Sequence, residues 1–298
     1  MKKLKKYLAL LGMGVLGMSV LAGCGDSGVT GELGDSGDLN PGSSETITFG
    51  TNAEFPPFEF VTSEGVIDDF DGIDMKIAKQ IGDDNGMTAK IENMEFDSLL
   101  IALENGQVDA VIAGMSITDE RKDAVDFSTA YYKATQVMIV REDSDISKAS
   151  DMEGKSIAVI QGYTGEECVK EMGYEYEAFK KGTETILELV NGKCDVVVID
   201  SATAQKYVND NEGLKIVEDP SAFESEEYGI AVKKGNTELL DKINASVQKM
   251  LDDGTISTWA AEYSDADSEE SSDDAAGESS EEDTESSDAD ASNDEAAE

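Results

Sequence analysis

Short apolar runs alternate along this chain with segments whose apolar residues recur every three or four positions. Residues 46–49, 89–91, 108–113, 156–160, 196–199 and 214–217 are the short runs, most of them rich in Val and Ile, and they predict buried strands. Between them Ile73, Ile77 and Ile81 fall at i, i+4 and i+8, and Leu99, Leu100 and Leu103 form a second stripe. Each stripe predicts a helix with one buried face. Residues 237–251 and 255–261 predict two more helices near the end of the pattern. Strands alternating with crossover helices predict mostly parallel sheets and an α/β class. Two further stretches, 131–141 and 226–234, read as extended and flank the second half on both sides. They predict crossings between two lobes, with residues 46–133 and 230–263 in lobe 1 and residues 134–229 in lobe 2. The halves share punctuation, ENGQVDAVIAG at 104–114 and VNGKCDVVVID at 190–200: a helix, an Asn-Gly turn, a strand and a polar or glycine-marked turn.

Both ends fall outside this pattern. Lysines at 2, 3, 5 and 6, an apolar run over 7–22 and small residues before Cys24 have the form of a secretory signal. The run is too short and wrongly flanked for a membrane span. Its ending, Leu21-Ala22-Gly23-Cys24, resembles the bacterial lipobox, in which the cysteine thiol receives a diacylglyceryl group and becomes the new N-terminus. That resemblance implies a signal peptide at 1–23, lipidation of Cys24 and an anchor on the extracytoplasmic face of the bacterial cell membrane. The alternative is an ordinary cleaved signal that discards Cys24. Residues 24–45 are Gly, Ser and Asp-rich and read as a flexible tether. Residues 264–298 contain only Ser, Asp, Glu, Ala, Gly, Asn and Thr and predict a disordered acidic tail.

Charge and composition narrow the function of what lies between. The formal net charge is −42, and the acid is not confined to the tail. Such a surface repels nucleic acid and anionic headgroups, which excludes both as partners of the folded body. About 220 residues remain for that body, enough for two modest cores or one large one. The chain has no histidine, which excludes an imidazole base, a Ser-His or Cys-His pair and a histidine metal site. Cys168 and Cys194 read either as an extracytoplasmic pair or as two small buried apolar residues.

Ligands of open α/β sheets lie beyond the carboxyl ends of strands, at helix N-termini. The polar turns at such positions are Gly114-Met115-Ser116-Ile117-Thr118, Gly162-Tyr163-Thr164-Gly165 and Asp200-Ser201. Around them, GTNAEFPPFEF (50–60), DGIDMKIAKQIG (71–82), FDSLLIALENGQVDAVIAGMSITDERKDAVDFS (96–128) and YGIAVKKGN (228–236) resemble the polar amino-acid substrate-binding proteins of ABC importers. These are family 3 extracellular solute-binding proteins of the periplasmic-binding-protein superfamily. The likeness covers nearly all of 46–263, with one departure: the family's Gly-Phe-Asp-x-Asp stands here as Gly72-Ile73-Asp74-Met75-Lys76. It implies two lobes, each a mainly parallel sheet flanked by helices, with hinge strands between. It also implies a monomer that takes a free L-amino acid into the cleft and hands it to a membrane permease, with no cofactor, metal or catalysis.

The resemblance assigns residues as well. Arg121 clamps the ligand α-carboxylate through its guanidinium fork, helped by Ser116, the backbone at Gly114 and the amide end of a helix opening near Thr118. Read locally, Arg121 lies in the first turn of that helix, where the dipole disfavours a cation and a partner is expected. The alternative is a solvated Arg balanced by Asp119 and Glu120. Thr164 meets the same carboxylate from lobe 2, and Thr164-Gly165-Glu166-Glu167 also has the form of a capping box, so both roles stay open. Asp200 is implied as the α-ammonium partner, its alternative being an N-cap. Phe55 and Phe96 resemble the aromatic pair that encloses the ligand side chain, although such residues are more often core, as Phe58 reads here. Asn52 and Glu54 are the specificity candidates. The Asn52 amide suits a neutral glutamine-like ligand; Glu54 would favour arginine or lysine if it faced the cleft, or stand exposed. Two rival functions remain: an enzyme on the same fold, and an amino-acid-sensing lipoprotein feeding a signalling partner.

Overall fold

The computed structural model of the chain describes residues 45–273, with side chains as far as Ser264. The signal, Cys24, nearly all of the tether and residues 274–298 of the tail lie outside the described residues. Lobe 1 opens with β1 (Glu45–Thr51), β2 (Glu54–Phe55), β3 (Glu59–Val61) and β4 (Phe70–Asp71). It continues with α1 (Ile73–Asp84), β5 (Met87–Asn93), α2 (Leu99–Glu104), β6 (Ala110–Val111), α3 (Asp119–Ala124) and β7 (Val125–Phe127). The long β8 (Tyr132–Arg141) leads into lobe 2: β9 (Ile157–Ile160), α4 (Thr164–Glu171), β10 (Tyr176–Phe179), α5 (Gly182–Val190), β11 (Val196–Asp200), α6 (Ser201–Asp210) and β12 (Leu214–Val217). The chain returns through β13 (Ser225–Tyr228) and β14 (Ala231–Lys233) and ends in α7 (Thr237–Asp252) and α8 (Thr255–Asp273).

The two main sheets share one plan, β5-β1-β6-β14-β7 in lobe 1 and β10-β9-β11-β8-β12 in lobe 2. In each, the first three strands run parallel and the last two ladders are antiparallel. The expectation of mainly parallel sheets therefore describes one half of each. The other half is antiparallel because β14 and β8 enter their sheets from the crossings, against the direction of the βα repeats.

Burial explains the sequence pattern. Every residue of β11 is buried. Val197 and Ile199 join Val137, Ile139, Ala158 and Ile160 on one face, while Val196 and Val198 join Met138, Val140, Ile157 and Val159 on the other. A strand covered on both faces has no polar face to show, hence the unbroken apolar run. In α1, Ile73, Ile77 and Ile81 are buried as their spacing predicts, and in α2 Leu99 and Leu103 are buried with Ala102.

Two features set up the cleft. First, β13 pairs antiparallel with the start of β8, Ser225 opposite Thr135 and Tyr228 opposite Tyr132, so the outgoing and returning crossings form one ladder. The segment Met115–Ile117 lies alongside: Ile117 N–H donates to Glu227 O at 2.8 Å and Gly229 N–H to Met115 O at 3.0 Å. Second, α8 packs back on α1. Lys76 pairs with Glu262 at 2.7 Å and lies 4.8 Å from the ring centre of Tyr263, whose hydroxyl donates to Asp71. The helix then runs on to Asp273, into the acidic segment that composition placed outside the folded body.

Candidate functional site

The turn after β6 carries lobe 1's share of the cleft. Gly114 adopts φ +52°, and a Cβ there would stand 2.6 Å from Cε1 of Phe55, so only glycine lets that ring close over the turn. Its N–H donates to Oδ2 of Asp74 at 2.8 Å, so this backbone donor, expected at the ligand carboxylate, is already committed inward. Thr118 caps α3 by accepting the Arg121 N–H at 3.2 Å. Asp119 pairs with Lys122, not with Arg121.

Arg121 is 8% exposed and spans the cleft. Nη1 donates to Ser116 O and Nη2 to Gly162 O of lobe 2, both at 2.9 Å, and Glu167 of lobe 2 lies 3.9 Å away. The guanidinium carbon stands 5.3 Å from the ring centre of Phe96. Burial lowers its pKa, and Glu167, Glu226 and Asp200 oppose that shift, so this is a cation held inside by surrounding acids.

Beside it, hydroxyls from both lobes converge on one carboxylate oxygen. Ser116 Oγ donates to Oε2 of Glu226 at 2.5 Å, and Thr164 Oγ1 donates to the same oxygen at 2.7 Å. Gln136 Nε2 donates to Thr164 Oγ1 at 3.1 Å and fixes its direction. Thr164 thus opens α4 without capping it. The N-cap position belongs to Tyr163, and Glu166 Oε2 accepts the Gly162 N–H at 2.6 Å. A cavity of about 570 Å³ borders this seat, lined by Ser116, Thr164, Glu167, Glu171, Glu224 and Glu226 among others.

Asp200 is 3% exposed at the head of α6 and makes no capping bond with its side chain. The Tyr228 hydroxyl donates to it instead. Burial first, and Glu226 second, push its pKa up to about 7, against the opposing bonds from Tyr228 and Gln136. A buried acid with that titration is one that an added cation would stabilise in its charged form.

Phe55 and Phe96 are both buried, and Tyr163 of lobe 2 stands between them. Its ring centre is 5.3 Å from Phe55, edge-on, and 4.4 Å from Phe96. The Tyr163 hydroxyl donates to Oδ1 of Asn52 at 3.0 Å, while Asn52 Nδ2 donates to Met94 O at 2.9 Å. Phe58 lies behind, against Phe55, Tyr132 and Tyr228, in the core as expected. Glu54 does not point into the cleft: its carboxylate pairs with Lys181 of lobe 2 at 2.9 Å, and its carbonyl accepts from the Tyr207 hydroxyl at 3.2 Å. It is a rim contact between lobes, because the turn that buries Phe55 sends the preceding side chain outward.

The structure therefore gathers Arg121, Ser116, Thr164, Asp200, Phe55, Phe96 and Asn52 around one cleft, and leaves Glu54 at its edge. Sequence reading missed Tyr163, Glu226 and Tyr228. All three lie in segments it had marked, the Gly162–Gly165 turn and the 226–234 crossing, but nothing local shows a side chain that acts across the cleft. Among the described residues there is no cluster of side chains suited to hold a metal and no helix long and apolar enough to cross a membrane. Cys168 and Cys194 are unpaired, half-buried and buried respectively.

Comparison with known proteins gives a consistent picture. Residues 47–266 match the bacterial extracellular solute-binding proteins, family 3. The arginine-binding extracellular protein ArtP of Bacillus subtilis is 31% identical over 258 residues, 85% of this chain and 95% of ArtP. The glutamine-binding protein GlnH of an ABC transporter in the same organism is 31% identical over 84% of this chain and 94% of its own length. Among solved structures, the arginine-, lysine-, histidine-binding protein ArtJ of Geobacillus stearothermophilus superposes with a TM-score of 0.69 at 33% identity, covering 74% of this chain and 95% of ArtJ.

Proposed function

Because the chain belongs to the bacterial extracellular solute-binding proteins, family 3, we propose that it captures a polar amino acid between its lobes and delivers it to an ABC importer. The observation that carries this reading is the seat at Glu226. One hydroxyl from each lobe donates to a single carboxylate oxygen beside a buried Arg121, which is the chemistry that an α-carboxylate requires. The ligand carboxylate replaces that of Glu226 on Ser116 and Thr164 and draws the adjacent Arg121 guanidinium onto itself, and its ammonium takes Asp200. A zwitterion then bridges the lobes and favours closure. The relatives named above are binding proteins, which supports binding as the role of this cleft.

The Asn52 amide at the far end of the cleft favours a neutral, glutamine-like side chain. A second reading, a cationic amino acid, is favoured by the glutamates 167, 171, 224 and 226 that line the mouth. The protein is proposed to act as a monomer on the extracytoplasmic face of the membrane, held there by lipid on Cys24 and spaced from it by the tether. A Cys24→Ser chain that still partitions with membranes would sink the anchor.

The binding proposal is tested by a thermal-shift screen of protein refolded from denaturant against the standard amino acids. A ligand at 100 times its dissociation constant adds about 2.7 kcal/mol of stability, on the order of 5 to 10 °C for a body of this size. Stabilisation by polar amino acids is expected. No shift with any of them overturns the proposal.

A further inference from the structure

Resting on that amino-acid reading, we infer that Tyr163 is a specificity-determining residue that fills the ligand side-chain slot and sets the length of side chain the closed cleft admits. The slot runs from the carboxylate seat, between Phe55 and Phe96, to Asn52. Tyr163 follows the same path. Its backbone adjoins Gly162, whose carbonyl accepts from Arg121, and Thr164, whose hydroxyl donates to Glu226. Its ring lies between the two phenylalanines, 5.3 and 4.4 Å from their centres. Its hydroxyl meets Asn52 at 3.0 Å. The tyrosine thus begins at the seat for a carboxylate, crosses the aromatic clamp and ends on the specificity amide, as the side chain of a long polar amino acid would.

The open space agrees. The cavity at the seat is bordered by Ser116, Thr164 and Glu226 but by none of Phe55, Phe96, Asn52 or Tyr163. This cavity stops short of the tyrosine and its aromatic neighbours. With Tyr163 6% exposed, a long side chain enters only by turning the ring out and exchanging its own polar end for the phenol on Asn52. A compact polar amino acid such as serine leaves the ring in place. Aromatic contacts of this geometry and the hydrogen bond both resist displacement, so the penalty falls on long side chains alone.

The test is the ratio of dissociation constants for serine and glutamine, with arginine as a second long ligand, in the wild-type protein and in Tyr163→Ala, Tyr163→Thr and Tyr163→Phe, by calorimetric titration. Melting temperature and circular dichroism identify variants that are folded. Tyr163→Ala and Tyr163→Thr are expected to shift the ratio at least tenfold toward both long ligands. Tyr163→Phe, which keeps the ring and loses only the bond to Asn52, is expected to stay near wild type. A shift under tenfold in the folded small variants overturns the inference, as does an equal shift in Tyr163→Phe, which would leave the hydrogen bond and not the ring as the determinant. If the wild-type protein and every variant bind no amino acid, the underlying amino-acid reading falls and this inference falls with it. Binding by the wild type without the ratio change removes the inference alone.

Discussion

Each lobe buries carboxylates where water cannot reach them, but the two sets are not alike. In lobe 1, Glu59 and Asp74 sit together behind the cleft, both fully buried, with Asp74 accepting from Gly114 N–H and from the Tyr131 hydroxyl. Burial and the neighbouring Asp74 hold Glu59 well above the usual carboxylate range, and burial raises Asp74 to about 6. In lobe 2, Asp200 is at about 7 for a similar first cause, burial. The difference is direction. The lobe 1 pair faces inward, with Asp74 holding the Gly114 turn, whereas Asp200 ends a strand at the cleft, on the side of Arg121 and Glu226. A raised pKa alone does not separate a structural acid from a waiting counter-ion; what each acid faces does.

The charge assignment across the cleft can be broken most strongly at its cation. Arg121→Ala leaves the surrounding Glu167, Glu226 and Asp200 without their buried partner, and ligand affinity is expected to fall about a hundredfold or more. Circular dichroism should show the fold retained, and an unchanged dissociation constant would remove Arg121 from the site.

The comparison of acids is sharpened by pH. Bringing an ammonium to Asp200 lowers its pKa from about 7, so binding expels a proton wherever the free protein holds one. Affinity is therefore expected to be about tenfold weaker at pH 6 than at pH 8. Asp200→Asn weakens binding and flattens that profile, while Asp74→Asn keeps it; a profile that persists without Asp200 would place the titration elsewhere.

The two lobes also part in stability. All three acids have folded pKa values above their unfolded ones, so between about pH 4 and pH 7 the folded chain holds protons that the unfolded chain has released. The ligand-free protein should consequently lose stability as pH rises through that window, and saturating ligand should cancel only the part due to Asp200. Melting temperatures across the window, with and without ligand, check this; equal slopes would erase the distinction between the lobes.

The sequence carried the fold well where burial repeats with a regular period. The α1 stripe, the β11 run and the two extended crossings are local patterns with one physical cause each. Arg121, out of place at a helix N-terminus, was legible for the same reason. The antiparallel half of each sheet was not, since β8 and β14 enter from the crossings and pair with strands far away in the chain. Nor was the filled cleft. Tyr163 meets Asn52 and Glu226 meets Ser116 across more than a hundred positions of chain, and the side chains that define each pairing have no periodicity to betray it. Glu54 failed in the opposite sense: its type suggested a ligand partner, but one residue of register beside buried Phe55 turns it to the rim.

The ladder between β8 and β13 has a mechanical consequence. A single connecting strand would act as a swivel, leaving one lobe free to twist, slide and tilt against the other. Two strands bonded side by side from Thr135 and Ser225 to Tyr132 and Tyr228 behave as a leaf hinge, stiff to torsion and compliant about one axis. Hydroxyls on opposite lobes, Ser116 and Thr164, can then meet on one oxygen atom at every closure, because the bearing and not the bound molecule keeps the alignment.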